Sequence, residues 1–599
     1  MQIREEFGPL RRRAGTLVLV TIAVLALLGL RLAHLQILHG RHWRELAENN
    51  RMRRVPLPAP RGRIFDRRGL VIADNLPTWD LLLFPDEARD VHRTALFLAR
   101  AGIAEASTLL ERFSHRPGGQ LAPLLAAEDL SWEQVATVRA HQSDYPELSI
   151  LAGFRRVYPY AGATAHAVGY LRIVSPRELE LDPELDRNAL VGATGIEALA
   201  NDTLAGRDGE RFVVVSAVGR QLGVVREQTP TAGPDLASTL DVTLQMAARE
   251  ALGEESGTVV ALDPRSGAVR VLYSSPAFDP NLFVGRLTRD EWRTLVDDPE
   301  HPLQNRALQG VYPPGSTIKP FYALAGLGDG LVDPTWSVTC AGSIVLHNHP
   351  FRCWRRAGHG RVQMERSLEV SCDVYYYLLG QRLGIHRMAD WLGRFGFGEA
   401  TGLGIASEAS GLIGTPEWSE RVRGTPWYPG EAVSVSIGQG PLLTTALQLA
   451  RGFAVIANGG RLIRPHLVPP LDPEPPVDLR LDPSHLEVVT KGLELVVSGS
   501  EGTAWRLRDL PVAGKTGTAQ VARLQEGVDS DELARHLRHH AWFVGWAPLD
   551  EPELVVAVVV EHGGGGGSVA APVAGSVFRA FLGQRSPARP SVEPAPAAG

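Results

Sequence analysis

Ala14 to Leu30 is an uncharged, mostly apolar run of 17 residues (AGTLVLVTIAVLALLGL). As a helix it would measure about 26 Å, near the least that crosses a bilayer. The pattern stays largely apolar through Arg31 to Leu38, so a transmembrane anchor is expected over 14–38, with residues 1–13 before it. A buried helix of a soluble domain would show the same pattern. A cleaved signal peptide would have a shorter apolar core and a small-x-small site, which is not clear here. Arg11, Arg12 and Arg13 precede the span, and Arg31, Arg41 and Arg44 follow it. Long domains translocate largely regardless of such charges. The expectation is an uncleaved single-pass anchor in the cytoplasmic (inner) membrane, with the bulk outside the cytoplasm.

Beyond the anchor the pattern changes. Residues 51–63 (RMRRVPLPAPRGR) are basic and rich in proline, as in an extended linker. Residues 64–235 mix short helical and strand-like runs, punctuated by turns at Asp66-Arg67-Arg68-Gly69 and Arg207-Asp208-Gly209. A further unit opens near Ser238. Its Val-rich runs Thr258–Leu262 and Ala268–Tyr273 flank Asp263-Pro264-Arg265-Ser266-Gly267, which predicts a hairpin. Leu554–Val560 reads as a buried strand. Residues 584–599 are rich in Pro, Ala and Ser, the composition of a disordered tail. No internal repeat is visible.

Composition sets outer limits. The 599 residues are 44% hydrophobic and 21% charged, with a net charge of −6. These values exclude a disordered polymer and give no basic excess for nucleic acid. Three cysteines exclude a disulfide-built scaffold. Of the 61 basic residues only three are lysines, Lys319, Lys491 and Lys515. Lysine can lose its proton when buried and act as a base, whereas arginine effectively cannot.

Two of those lysines sit in suggestive contexts. Tyr312-Pro313-Pro314-Gly315-Ser316-Thr317-Ile318-Lys319 predicts a helix starting at or near Ser316. Residues three apart share a helical face, so Lys319 would stand beside Ser316 as the base that a serine nucleophile needs. The helix N-terminus favours the developing oxyanion. Alone, Ser-x-x-Lys also occurs by accident on surface helices. Gly514-Lys515-Thr516-Gly517-Thr518 offers a cation and hydroxyls to a carboxylate, and its glycine admits close backbone approach. Alone, it is equally an ordinary turn. Ser371-Cys372-Asp373 adds a hydroxyl able to relay a proton.

Together and in this order, the three segments resemble the S-x-x-K, S-x-N and K-T-G signatures of the penicillin-binding transpeptidase and serine β-lactamase superfamily. The resemblance covers nearly the whole chain. Residues 60–75 (PRGRIFDRRGLVIADN), Arg156-Val157-Tyr158-Pro159 with His166 and Gly169, and Gly192-Ala193-Thr194-Gly195-Ile196-Glu197 resemble a class B pedestal. Ser238-Thr239-Leu240-Asp241 through Gln245, the segment Pro276 to Phe283, and Ser436-Ile437-Gly438-Gln439-Gly440 resemble a transpeptidase domain. Asp279-Pro280-Asn281-Leu282-Phe283, and Asp373 in place of the usual Asn, are similar to the elongation-type penicillin-binding protein 2 group. An Asp only accepts hydrogen bonds unless protonated, which puts an amide-specific substrate contact there in doubt.

The resemblance implies an α+β multidomain architecture. A transmembrane helix would lead to an elongated mixed α/β pedestal (dimerisation-type) domain over 39–235. A transpeptidase/serine β-lactamase-like domain, an antiparallel sheet flanked by helices, would span 236–583. It implies that Ser316 attacks the penultimate D-alanine carbonyl of a peptidoglycan stem peptide. Lys319 would be the general base and Ser371 the proton relay, with Asp373 in the same catalytic group. Lys515, Thr516 and Thr518, with Gly517 between them, would receive the terminal carboxylate. The backbone N–H groups of Ser316 and Thr518 would form the oxyanion hole. A second stem-peptide amine would resolve the acyl-enzyme, and β-lactams would acylate Ser316 covalently. Implied partners are the SEDS glycosyltransferase RodA and rod-complex proteins such as MreC. A division-type transpeptidase, a D,D-carboxypeptidase, a β-lactamase, and a β-lactam sensor or silent scaffold are the competing readings. Intact Ser316, Lys319, Ser371 and Lys515 argue against a silent scaffold, and the matching pedestal would be surplus in a β-lactamase.

The cysteines form a separate pattern, Cys340-x12-Cys353-x5-His359-x12-Cys372. Three thiolates and one imidazole make a closed tetrahedral zinc set. Three buried small side chains, or one disulfide and a free thiol, would give the same composition. His347 and His349 are nearby alternatives for the nitrogen ligand. Some members of the penicillin-binding protein 2 group carry zinc just before the second motif, and the resemblance implies a structural Zn2+ here. Such an ion would pin the loop that carries Ser371.

Overall fold

A computed structural model describes residues 8–39, 52–84, 88, 90–114, 124–181, 189–215, 221–285, 287–521 and 533–585. The tail from 586 on, the first seven residues and most of the segment joining the anchor to the linker lie outside these residues.

Helix α1 (Gly8–Ala33) runs on through a wider turn over His34–Leu38. The window Arg13–Ile37 has a mean hydropathy of 2.4 and none of it is buried against protein. An apolar helix this long, exposed all round, fits a single-pass membrane anchor.

By contacts the chain divides into two compact units. The smaller comprises residues 1–60, 76–155 and 206–232. It holds a three-stranded antiparallel sheet of β1 (Met52–Leu57), β2 (Gly209–Val215) and β3 (Gln221–Gln228), in the order β1-β2-β3. It also has its own small core around Leu81, Leu83, Leu98, Leu109 and Leu148.

The larger unit takes residues 61–75, 156–205 and 233–599. Its centre is a five-stranded antiparallel sheet. The strands are β4 (Gly257–Leu262), β5 (Val269–Ser275), β6 (Ala513–Ala519), β7 (His540–Ala547) and β8 (Leu554–Val560), in the order β5-β4-β8-β7-β6. The expected 263–267 turn joins β4 to β5. Side chains alternate across a strand. In β8, Val555, Ala557 and Val559 therefore enter one core, and Val556, Val558 and Val560 enter the other. The second core is closed by α2 (Val242–Leu252) and the C-terminal α7 (Ala571–Arg585). The first is closed by α3 (Lys319–Gly328), α4 (Asp373–Arg394) and α6 (Ala446–Ala457). Burial on both faces explains why these strands read as continuous apolar runs. Strand β6 is the exception. It lies at the sheet edge, and its sequence AGKTGTA carries chemistry instead of bulk.

Candidate active site

The segment expected to carry the nucleophile is bent sharply onto the edge strand. Gly315 sits at φ +54°, a conformation that favours glycine. A Cβ at Gly315 would also lie 2.7 Å from the Thr518 carbonyl oxygen. Its N–H donates to the Gly438 carbonyl at 2.9 Å. Trp542 Nε1 donates to the Pro313 carbonyl at 3.1 Å, fastening the same segment to β7. The structure places Ser316 on a 3-10 turn, Gly315–Ile318, that leads into α3 at Lys319. The regular helix therefore begins three residues later than the sequence pattern predicts.

Lys319 is fully buried. Its Nζ donates to Asp373 Oδ1 at 2.7 Å, to the Ser371 carbonyl at 2.9 Å and to Ser371 Oγ at 3.3 Å. Lys515, also fully buried, donates from Nζ to Ser371 Oγ at 2.8 Å and to the Thr516 carbonyl at 3.0 Å. The Ser371 hydroxyl oxygen thus lies between the two lysines. Ser371 holds φ +52°, an unfavourable region for a non-glycine residue. Burial pushes the Lys515 ammonium well below the ordinary lysine range, and the neighbouring Lys319 charge adds to the effect. Burial likewise raises the Asp373 carboxyl, while Lys319 pulls it back. Asp373 Oδ2 accepts the Trp354 N–H at 3.0 Å, so both of its oxygens are engaged within the protein.

Strand β6 brings the third motif to the same place. Thr516 Oγ1 pairs with Thr503 Oγ1 at 2.6 Å, and Thr518 is exposed. Gly517 is required by space, since a Cβ would lie 2.8 Å from Thr317 Cγ2 and 2.9 Å from the Pro314 carbonyl. Ser316, Lys319, Ser371, Asp373, Lys515, Thr516, Gly517 and Thr518 therefore converge along one end of β6. A serine on a turn packed against β6, the strand that carries one of two buried lysines sharing a second hydroxyl, is suited to acyl transfer. Gln439 also reaches this edge. Sequence reasoning used it only as part of a pattern, and its flanking Gly438 and Gly440 were the sole hint of a special backbone.

Cys340, Cys353, His359 and Cys372 also come together, all buried, with their ligand atoms within 4.8 Å of one another. His359 Nδ1 lies 3.6 Å from both Cys340 Sγ and Cys353 Sγ. A tetrahedral zinc with ligands at about 2.0–2.3 Å needs ligand separations of about this size, so the donor set fits the ion. In the absence of a cation the sulfurs compete for protons. A hydrogen bond from Cys372 pushes the Cys353 thiol down to about 2, and the same contact pushes Cys372 up. Three thiols are not bridged. Among the described residues, His359 Nε2 is buried without a hydrogen-bond partner, so the usual outer support of a ligating imidazole is missing. The cluster connects to Asp373 through two bonds. The Asp373 N–H points to Cys353 Sγ at 3.4 Å, and Trp354 donates to Asp373.

Comparison with known proteins agrees with this geometry. The penicillin binding protein transpeptidase domain model matches residues 257–579, and the penicillin-binding protein dimerisation domain model matches 56–238. On these matches the chain belongs to the penicillin-binding protein transpeptidase family. Among curated relatives, the peptidoglycan D,D-transpeptidase MrdA of Acinetobacter baumannii is 36% identical, covering 98% of this chain and 90% of its own length. That of Escherichia coli K12 is 32% identical, over 98% and 96%. Among solved structures, penicillin-binding protein PBP2 of Helicobacter pylori in complex with MreC superimposes with a TM-score of 0.80 at 26% identity, covering 89% of this chain and 99% of that one. Pseudomonas aeruginosa PBP2 in complex with WCK 5153 gives 0.67 at 35% identity, over 88% and 97%.

Proposed function

We propose that this chain is an elongation-type peptidoglycan D,D-transpeptidase working through a Ser316 acyl-enzyme. The observation that carries the residue roles is the Ser371 hydroxyl held by both buried lysines. Ser316 Oγ adds to the penultimate D-alanine carbonyl as Lys319, made neutral by passing one proton to Asp373 Oδ1, takes the hydroxyl proton. The oxyanion is received by the N–H groups of Ser316 and Thr518. With lysine donors on its oxygen from two sides, Ser371 gives its own O–H proton to the departing D-alanine amine and regains one from Lys319. Lys515, Thr516 and Thr518 receive the terminal carboxylate. Asp373 positions Lys319 and takes no direct substrate contact. A stem-peptide amine then attacks the ester, and Ser316 is regenerated.

Zinc is the ion that Cys340, Cys353, His359 and Cys372 would hold, supplying a structural tie with no part in bond making. The anchor helix supports placement in the inner membrane with the bulk in the periplasm. The H. pylori complex supports an MreC-type partner. A solved peptidoglycan synthase complex that this chain resembles, with a TM-score of 0.71 at 32% identity, supports a glycan-polymerising partner such as RodA. The test is labelling with a fluorescent penicillin followed by peptide mapping, beside Ser316→Ala. Label on the Ser316 peptide, absent from the variant, is expected. No label on folded, metal-replete protein would overturn the site assignment.

A further inference from the structure

Among the described residues, strand β6 pairs with β7 on one side only. On its open side, alternate residues turn their backbone groups outward. Thr518 and Gln520 are such residues, and both are exposed. In this structure one outward group of each is already paired with a side chain. Gln439 Nε2 donates to the Thr518 carbonyl at 3.1 Å, and the Gln520 N–H donates to Gln439 Oε1 at 3.3 Å. One carboxamide thus satisfies an acceptor and the next donor along the free edge. Only one orientation of the amide can do both.

The backbone beneath that side chain is fixed. The Gln439 N–H donates to the Ser434 carbonyl at 3.0 Å at the end of α5 (Pro429–Val435). Its neighbours Gly438 and Gly440 hold φ +75° and +71°. Gly438 is stitched to Gly315, and a Cβ there would meet the Gly315 carbonyl at 2.1 Å. Moving Gln439 off the edge therefore takes a side-chain rotation, with the turn beside Ser316 left in place.

We infer that Gln439 is a displaceable plug on the substrate-binding edge of β6 and sets which acyl donors can enter. The inference rests on the transpeptidase reading of Ser316. A stem peptide with its carboxylate at Lys515 and Thr516, and its scissile carbonyl at Ser316, runs antiparallel to β6 toward Gln520. In an antiparallel ladder, the Thr518 carbonyl and Gln520 N–H are served by an N–H and a carbonyl that flank one partner residue. An extended peptide supplies both and replaces both bonds that Gln439 gives up. A ligand with a single amide beside its reactive carbonyl replaces one and leaves the other group bare. The plug thus favours extended peptides over short mimics, and its side chain acts on binding rather than on bond making.

The test uses the full chain in detergent and a fluorescent penicillin as the probe. Two net hydrogen bonds are worth roughly tenfold in binding together. Gln439→Ala, and Gln439→Glu, which keeps the size but cannot donate to Thr518, should both raise the second-order acylation rate by about threefold to tenfold. The gain should appear in the concentration for half-maximal rate and not in the limiting rate. Site-resolved amide exchange should show Gln520 less protected in Gln439→Ala, which also reports that the variant is folded. An unchanged or slower acylation in both variants, with normal labelling of the wild type, overturns the plug. A wild type that does not label Ser316 overturns the transpeptidase reading instead.

Discussion

Lys515 is one of only three lysines in the chain, and the structure gives a reason for its retention. It is fully buried, and it shares the Ser371 hydroxyl with Lys319. Its pKa is well below the ordinary lysine value because burial penalises the cation. The sign of the pH effect follows. Below the depressed pKa the folded protein carries the charge that attracts a carboxylate. Above it, that charge is lost while an unfolded lysine still holds its proton to about pH 10.4. Penicillin acylation is therefore expected to fall on the alkaline side before the ordinary lysine range is reached. Over the same window the unfolded state binds more protons, so stability contributed by this group rises with pH. A pH series of acylation rates and of denaturant midpoints reads both. Asp373→Ala leaves Lys319 buried without its carboxylate. Losing one partner of a buried pair costs about 3–5 kcal/mol, which a denaturant titration would detect. At this scale the sequence was informative about identities and silent about contacts. Ser316, Lys319 and Lys515 stood out by spacing. The shared position of Ser371, and the inward engagement of Asp373, depend on a strained φ and on a loop from elsewhere in the chain, neither of which leaves a local pattern.

Short elements show the same division. The sequence marked β4, β5 and β8 as strands because burial on both faces enforces long Val-rich runs. It placed a helix at Ser316 where a 3-10 turn forms, since the tight approach of Gly315 to Thr518 and Gly438 is tertiary. The loop carrying Cys340, Cys353 and His359 was legible as a ligand pattern, as was its tie to Ser371 through Cys372, and the structure adds the bond from Trp354 to Asp373. Two predictions belong here. Gly517→Ala would drive a methyl into Thr317 and the Pro314 carbonyl, forcing β6 away from the Ser316 turn. A displacement near 1 Å costs about a hundredfold in rate, so labelling of Ser316 should fall by that order while the fold survives. On the proposal that Cys340, Cys353, His359 and Cys372 hold zinc, a chelator should lower the unfolding temperature and slow acylation together, and added zinc should restore both. Full acylation by metal-free protein would separate the cluster from the active site.

At the scale of the whole molecule, residues that resemble a class B pedestal are folded into the same compact unit as the transpeptidase core. Segments 61–75 and 156–205 both belong to the larger unit. Their meeting point is Glu197, completely buried, with Arg61 Nε at 2.7 Å from one oxygen and Arg156 Nε at 2.7 Å from the other. Arg61 also reaches the Glu197 carbonyl, and Arg156 the Gly62 carbonyl. Tyr158 donates its N–H to Asn281, and Gln245 donates to the Ala163 carbonyl, so the same segments are bonded directly to the catalytic half of the unit. Two guanidinium groups sharing one buried carboxylate cannot be relieved by water. Glu197→Gln would leave two buried positive charges facing an amide, a loss of about 3–5 kcal/mol by analogy with other broken buried pairs. Arg63 and Asp235 form an ion pair of the same 2.7 Å length, with both side chains nearly half exposed. An exposed pair gains little over hydration, so Asp235→Asn should leave the unfolding midpoint nearly unchanged. The comparison holds pair length constant while burial and the number of arginine partners differ. Denaturant titrations of the two variants, read beside Ser316 labelling, should show Glu197→Gln losing the fold of the larger unit at lower denaturant and losing label with it. Equal midpoints for the two variants would mean that the Glu197 cluster does not hold these segments to the catalytic core.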